Sequence, residues 1–270
     1  MMKFFPIKTP IITPNAELIQ IILDSIANTS LKIQENDILV ITEKVVSFSQ
    51  NRIIDKSSII IKDGLAKKLA IKYQMDPAFV QLIINEADTI LGGVKGVLLT
   101  EVHNILIANA GIDQSNSGGL DKFVLLPKDP QETAYNIYQE LKEKTYVKNL
   151  GIIISDSRVQ PMKKGTIGVA IAVAGFEPVE NCIGKLDLFN RPLRITKRAI
   201  ADDLVCGAQV LMGEANEQIP VVLIRDAPVK FTDRKISYDE MIINKEDCLF
   251  MNVFKDLKNY KKPIFKKIFK

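Results

Sequence analysis

The sequence predicts a mixed α/β fold, and three features predict it. Short β-branched runs sit between turn residues, as in DILVIT (37–42), LGIIISDS (150–157) and IPVVLIRD (219–226). Such runs read as buried strands. Amphipathic stretches with helical spacing stand between them. Strands and helices alternate without a strict βαβ order, which points to a mixed α+β arrangement.

Each element has its own signal. Residues 15–28 carry Leu18, Ile19, Ile22, Leu23 and Ile26 at helical spacing, with Asn15 placed to cap. Residues 63–73 and 76–87 read as two helices, the second opened by Asp76-Pro77. GVLLTEV and NILIANA form a hairpin over 96–110, with His103 as an exposed turn residue rather than a catalytic base. Residues 129–144 form an amphipathic helix, capped by Asp129 with Pro130 at its first position. GVAIAVAG (168–175) is a strand or buried turn, and 196–212 is a helix whose small residues allow close packing. The catalytic body is expected over 1–254, with 151–214 a candidate smaller subdomain.

Composition narrows the function. Hydrophobic residues make up 47% of 270, enough for a substantial core. The longest apolar-plus-glycine run, 168–176, is too short for a bilayer span of about 20 residues. The start, MMKFFPIKTPIITP, lacks the long apolar core of a signal peptide, so a cytoplasmic protein is expected. Cys182, Cys206 and Cys248 are far apart and His103 is the single histidine, which argues against zinc and for inert core cysteines. Residues 255–270 hold seven lysines and one aspartate, a net +6 against +4 for the whole chain, so the body carries −2. The basicity is a solvated terminal tail, and no nucleic-acid or membrane partner is expected. P-loop, dinucleotide-binding and nucleophile-elbow patterns are absent.

The chemistry-bearing residues are acids at strand ends. NAGIDQSNSGG (109–119) places Asp113 in a polar, glycine-flanked loop. LGIIISDS ends in Asp156 and Ser157, and LMGEANEQIP carries Glu214. Each acid alone reads as a turn or cap residue. Together, carboxylates and a hydroxyl at strand C-termini form a hard-oxygen set suited to Mg²⁺ or Mn²⁺ holding phosphates.

NAGIDQSN, IISDS, TEKVVSFSQNRI and the long block KGTIGVAIAVAGFEPVENCIGKLDLFNRPLRITKRAIADDLVCGAQVLMGEANEQIPVVLIRD resemble the coenzyme F420-0:L-glutamate ligase family across roughly residues 5–250. The resemblance implies an intertwined homodimer. It implies a GTP- and divalent-metal-dependent ligase that activates a carboxylate as an acyl phosphate and joins it to L-glutamate. By motif, Asp113 and Asp156 would hold one metal, and Ser157 and Glu214 would touch a second. Asn116 would contact the nucleotide. So would Thr9, Pro10, Ile11 and Ile12, the pair Glu43 and Lys44, and the loop of Leu211, Met212, Gly213, Glu214, Ala215, Asn216, Glu217 and Gln218.

Two stretches depart from the family pattern. Where the family usually has Ser-Lys-Ala-Glu-Gly-Arg, this chain has SFSQNR, with Phe48 at the lysine position and Lys44 one helical turn earlier. After the Asp-Ser pair, Val159 and Gln160 stand for Gly-Arg, and Lys163 and Lys164 for arginines. Lysines do not reproduce the bidentate fork of arginine. This turn favours a folate γ-carboxylate over F420-0 as acceptor. A ligase adding another amino acid, or a nucleotide-binding homologue without turnover, are the rival readings.

Overall fold

The computed structural model describes residues 1–62 and 64–256. In chain order, β1 (Lys3–Ile7), α1 (Leu18–Ala27), β2 (Asp37–Thr42) and α2 (Glu43–Ser49) come first. Next come β3 (Ile53–Asp55), α3 (Gly64–Tyr73), α4 (Pro77–Glu86), β4 (Thr89–Val94), β5 (Val97–Val102), β6 (Ile105–Ala108) and β7 (Lys122–Val124). The chain continues through α5 (Pro130–Thr145), β8 (Leu150–Val159), β9 (Thr166–Ala174), β10 (Glu180–Asn181) and β11 (Lys197–Arg198). It closes with α6 (Ile200–Met212), β12 (Val221–Arg225) and α7 (Leu249–Asp256).

The central sheet has the order β1-β12-β2-β8-β9. Only β2 and β8 run parallel, in the register Asp37 to Leu150 through Thr42 to Ser155. The other pairings are antiparallel. Alternate residues serve opposite faces: Leu39 and Ile41 pack with α1 and α5, while Ile38 and Val40 pack with α6. Burial on both faces explains why β2, β8 and β12 read as unbroken apolar runs. At the end of β2 away from the site, fully buried Asp37 takes two hydrogen bonds from Arg225, each 2.8 Å, and one from the Gln34 amide.

A second core is built from α3, α4, β5 and the 110–125 segment, with Phe79 stacked on Phe123 at 5.1 Å. Its role is to hold residues 109–118 against the sheet. Asn109, Ala110 and Gly111 are all left-handed, with φ of 51°, 55° and 70°. An alanine there costs about 1–2 kcal/mol. Buried Thr100 offsets that cost by donating to the Ile107 carbonyl (2.7 Å) and accepting from the Ala110 amide (2.9 Å), while the Asn109 side chain accepts from the Leu98 amide (2.9 Å). Gly111 has no substitute, since a Cβ would meet Leu126 at 2.6 Å.

Several expectations change. Asn15 is left-handed (φ 61°), and α1 starts at Leu18 after Glu17 without a side-chain cap. Asp129 does precede Pro130, but it too is left-handed and its carboxylate caps nothing. Asp76 does cap α4, accepting from the Ala78 and Phe79 amides. Residues 197–198 pair as β11, so the following helix begins at Ile200. Segment 151–214 holds β9, nearly all of β8, and α6, which packs on the central sheet, while a separate core lies within residues 66–125. Lys255 and Asp256 close α7, and the remainder of the basic tail lies outside the described residues.

Thr100→Val keeps the shape but leaves the Ala110 amide without its partner. An unpaired buried donor costs about 1–3 kcal/mol. Urea unfolding is therefore expected to show that loss with an unchanged m-value.

Candidate active site

The strand pairings bring four chain segments to one edge of the sheet. Ile41 lies beside Val221, and Val221 beside Ile7. Thr42 lies beside Ser155. The segments after β1, β2 and β8 and before β12 therefore open at the same place. The 109–118 loop closes over them from the second core. Between them is a cavity of about 720 Å³.

From the segment after β1, Thr9, Pro10, Ile11 and Ile12 line the cavity. Thr9 is buried and donates its hydroxyl to the Pro10 carbonyl, while Ile12 joins the core. From α2 come Glu43, Lys44 and Phe48. From 109–118 come Asp113, Ser115, Asn116 and Gly118. Asp113 is fixed by backbone pairing with Val124 in both directions at 2.9 Å. Its Oδ1 accepts from the Ser115 amide (2.8 Å) and hydroxyl (2.9 Å), and Lys44 Nζ sits 2.5 Å from Oδ2. The same lysine donates to the Ser115 carbonyl at 3.0 Å. Lys44 thus puts a cation on Asp113, while Phe48 presents only its ring and packs on the core.

From β8 come Ser155, Asp156 and Ser157. Asp156 accepts from the Ser157 amide at 2.7 Å and lies 3.5 Å from Arg158 Nε. The 212–218 stretch supplies Met212 through Gln218. Leu211 departs from expectation: it packs against the α6 core and does not line the cavity. Glu214 is oriented by Thr166 Oγ1 (2.9 Å) and Gln209 Nε2 (2.7 Å), with Ser157 Oγ at 3.5 Å. Asn116 Nδ2 donates to the Ala215 carbonyl at 2.9 Å, tying two loops together across the cavity. Ser115, Ser155, Thr166 and Gln209 escaped the sequence reading. Thr166 sits on the antiparallel neighbour of β8, a placement that no local pattern announces.

The acids are electrically crowded. Burial, then the charges of Asp156 and Asp113, push half-buried Glu43 up to about 8 against the opposing pull of Lys44. Burial also raises Asp156, and Arg158 counters it. At Asp113 burial pushes upward, but Lys44 and the Ser115 donors together bring its carboxyl below the usual range. Crowded, partly buried carboxylates in a cavity are the electrostatic pattern of functional sites.

Asp113, Asp156, Ser157 and Glu214 offer hard oxygens, the donor type that Mg²⁺ and Mn²⁺ prefer. Among the described residues, no three carboxylate, histidine or cysteine side chains form a ready cage for an ion. That is compatible with magnesium, which commonly takes one or two carboxylates and completes its shell with phosphate oxygens and water. The donor set fits an ion that arrives with a phosphate group.

Residues 6–226 match the family model described as F420-0:Gamma-glutamyl ligase. The chain is 42% identical over 221 residues to a protein named Coenzyme F420:L-glutamate ligase from Methanocaldococcus jannaschii, covering 82% of this chain and 86% of the relative. A Methanococcus maripaludis protein of the same name is 38% identical over 251 residues, covering 92% and 97%. One from Methanothermobacter thermautotrophicus is 34% identical over 221 residues, covering 81% and 86%. These matches define the chain as a ligase that forms a γ-glutamyl amide bond. It belongs to the F420-0:gamma-glutamyl ligase family. No helix among the described residues is long and apolar enough to cross a membrane.

Gly213 ends α6 at φ 72°, ψ −171°, a region that essentially only glycine occupies. A Cβ there would also run into the Glu217 carboxylate. Gly213→Ala is expected to cost about 1–3 kcal/mol in thermal or urea unfolding.

Proposed function

We propose that the chain joins L-glutamate to F420-0, consuming GTP with Mg²⁺ or Mn²⁺. A carboxylate oxygen of the acceptor attacks the γ-phosphorus, GDP leaves, and an acyl phosphate forms. The amine of glutamate then attacks the acyl carbon, phosphate leaves, and the amine gives up a proton. When bound, the divalent ion offsets the negative charge on the transferring phosphoryl group. The residues of this chain bind and orient. Asp113 and Asp156 supply ionic oxygens for the metal, with Ser157 and Glu214 at a second position. Lys44, beside Asp113, adds positive charge next to the phosphates, and Asn116 with the 212–218 loop forms the nucleotide wall.

The observation that carries this reading is the convergence of Asp113, from the 109–118 loop, and Asp156, from β8, on one cavity of nucleotide size. Lys44 standing on Asp113 supports an active enzyme over a nucleotide binder without turnover. The turn that favoured folate supports it less once placed: Val159, Gln160, Lys163 and Lys164 do not line this cavity. The names of the relatives favour F420-0.

A homodimer belongs to the same proposal. The excursion between β10 and β11 exposes Leu188 (97%), Phe189 (78%) and Ile195 (87%), an apolar surface suited to burial against a second copy. Light scattering is expected to give twice the chain mass.

Asp113→Asn and Asp156→Asn should each lower ligation by on the order of 10²-fold or more while the circular dichroism spectrum and melting temperature stay close to those of the parent. The assay follows GDP release and glutamylated F420-0 together. Full turnover by either folded variant, or turnover undiminished by a chelator, would overturn the metal assignment.

A further inference from the structure

A second cavity, of about 740 Å³, lies between β6, the first turn of α5 and residues 235–238. Its floor is apolar: Ile105, Ile107, Leu126, Ile171 and Ile236. Its size falls within the range of small-molecule sites, roughly 300–1,000 Å³. A neighbouring cavity of about 260 Å³, lined by Tyr238 and Met241, is smaller than that range. His103 and Tyr238 line the larger one, with ring centroids 6.4 Å apart at 79°, so an aromatic face is available for stacking.

The cavity adjoins the acidic site at two points. Ile107 and Leu126, on its floor, flank the left-handed Gly111 that leads to Asp113. Arg158, in its wall, stands two residues from Asp156 on β8, with the 3.5 Å contact between them. The side chain of Arg158 is only 12% exposed, yet that contact uses Nε alone. Among the described residues, its two terminal nitrogens hydrogen-bond to no protein group. A largely buried guanidinium with spare donors is suited to a carboxylate or phosphate from a ligand.

Resting on the ligase reading, we propose that this cavity holds the acceptor: its planar ring system lies on the isoleucine floor, and Arg158 receives its anionic chain and directs it past Asp156 to the nucleotide. Arg158 is then a specificity and positioning residue. It explains how a fused aromatic anion is accommodated although the 159–164 turn offers no arginine.

The test uses the full chain and two variants, Arg158→Lys and Ile105→Trp. The lysine keeps a cation beside Asp156 but loses the two-pronged fork. The tryptophan fills the cavity from a half-buried position outside the nucleotide site. Each is expected to raise the KM for F420-0 at least about tenfold, the first by losing the two-pronged contact and the second by filling the cavity. The KM for GTP and for glutamate should stay within about twofold. Direct F420-0 binding, followed by its own fluorescence without nucleotide, should weaken in parallel. An unchanged F420-0 affinity in the folded variants, or an equal rise in the KM for GTP, overturns the placement while the ligase reading stands. If the parent chain glutamylates no F420-0 at all, the ligase reading falls and the placement falls with it.

Discussion

The parallel pairing of β2 with β8 is the constraint on which the site depends. It sets the C-terminal ends of two buried strands side by side, so that Thr42 and Ser155 are neighbours and the next residues, Glu43 and Asp156, share one cavity. The antiparallel partners then have no freedom: β12 must enter, and β1 must leave, at the same edge. Register is enforced from both faces. A slip of one residue would turn Ile38 and Val40 toward α1 and α5, and Leu39 and Ile41 toward α6, against two cores shaped for the opposite choice. The Asp37–Arg225 pair reinforces the register at the far end. Removing either partner would leave an uncompensated charge, which is costly in a buried place.

Rigid strands alone would give a shallow groove. Depth comes from the loops laid over them, and these loops carry the strain. The left-handed run 109–111 aims Asp113 back across the sheet edge, and Gly213 turns the chain sharply so that Glu214 meets Ser157 and Thr166. Both devices are anchored by ordered elements, the first by Thr100 inside the second core and the second by Gln209 on α6. Unusual backbone at a site persists only where the surroundings over-determine it. Here the surroundings are a complete small core built on α3 and α4.

Much of this was legible in the sequence, for identifiable reasons. Strands β2, β8 and β12 announced themselves because burial on both faces leaves an unbroken apolar run within each, Ile38–Ile41, Ile152–Ile154 and Val221–Ile224. The Asp76-Pro77 start of α4 was legible because capping is local chemistry. The acids were legible only as a set, because carboxylates and a hydroxyl recur where apolar runs end. What was lost is non-local or strained. Asn15 and Asp129 look like caps, yet both adopt φ near 60° or 45° and cap nothing. Leu211 belongs to a stretch that otherwise lines the site, but on a helix one position of shift turns a side chain from cavity to core. Strand β1, interrupted by Pro6, pairs on one side only, and as an edge strand it lacks the apolar continuity that marks the others.

The charge balance of the site completes the argument. Glu43, Asp113 and Asp156 face one another with Lys44 and Arg158 as the nearby cations, and Lys44 is committed to Asp113. The remaining repulsion appears as the raised proton affinity of Glu43 and Asp156, which is the electrostatic cost of holding acids together without enough positive charge. A protein that needed these residues only for folding would gain by neutralising one of them. Their grouping in a half-open cavity, on three converging segments, makes sense if positive charge arrives from outside. Under the proposed function the phosphates of a nucleotide would add negative charge, and the phosphates and the acids would both favour a divalent ion.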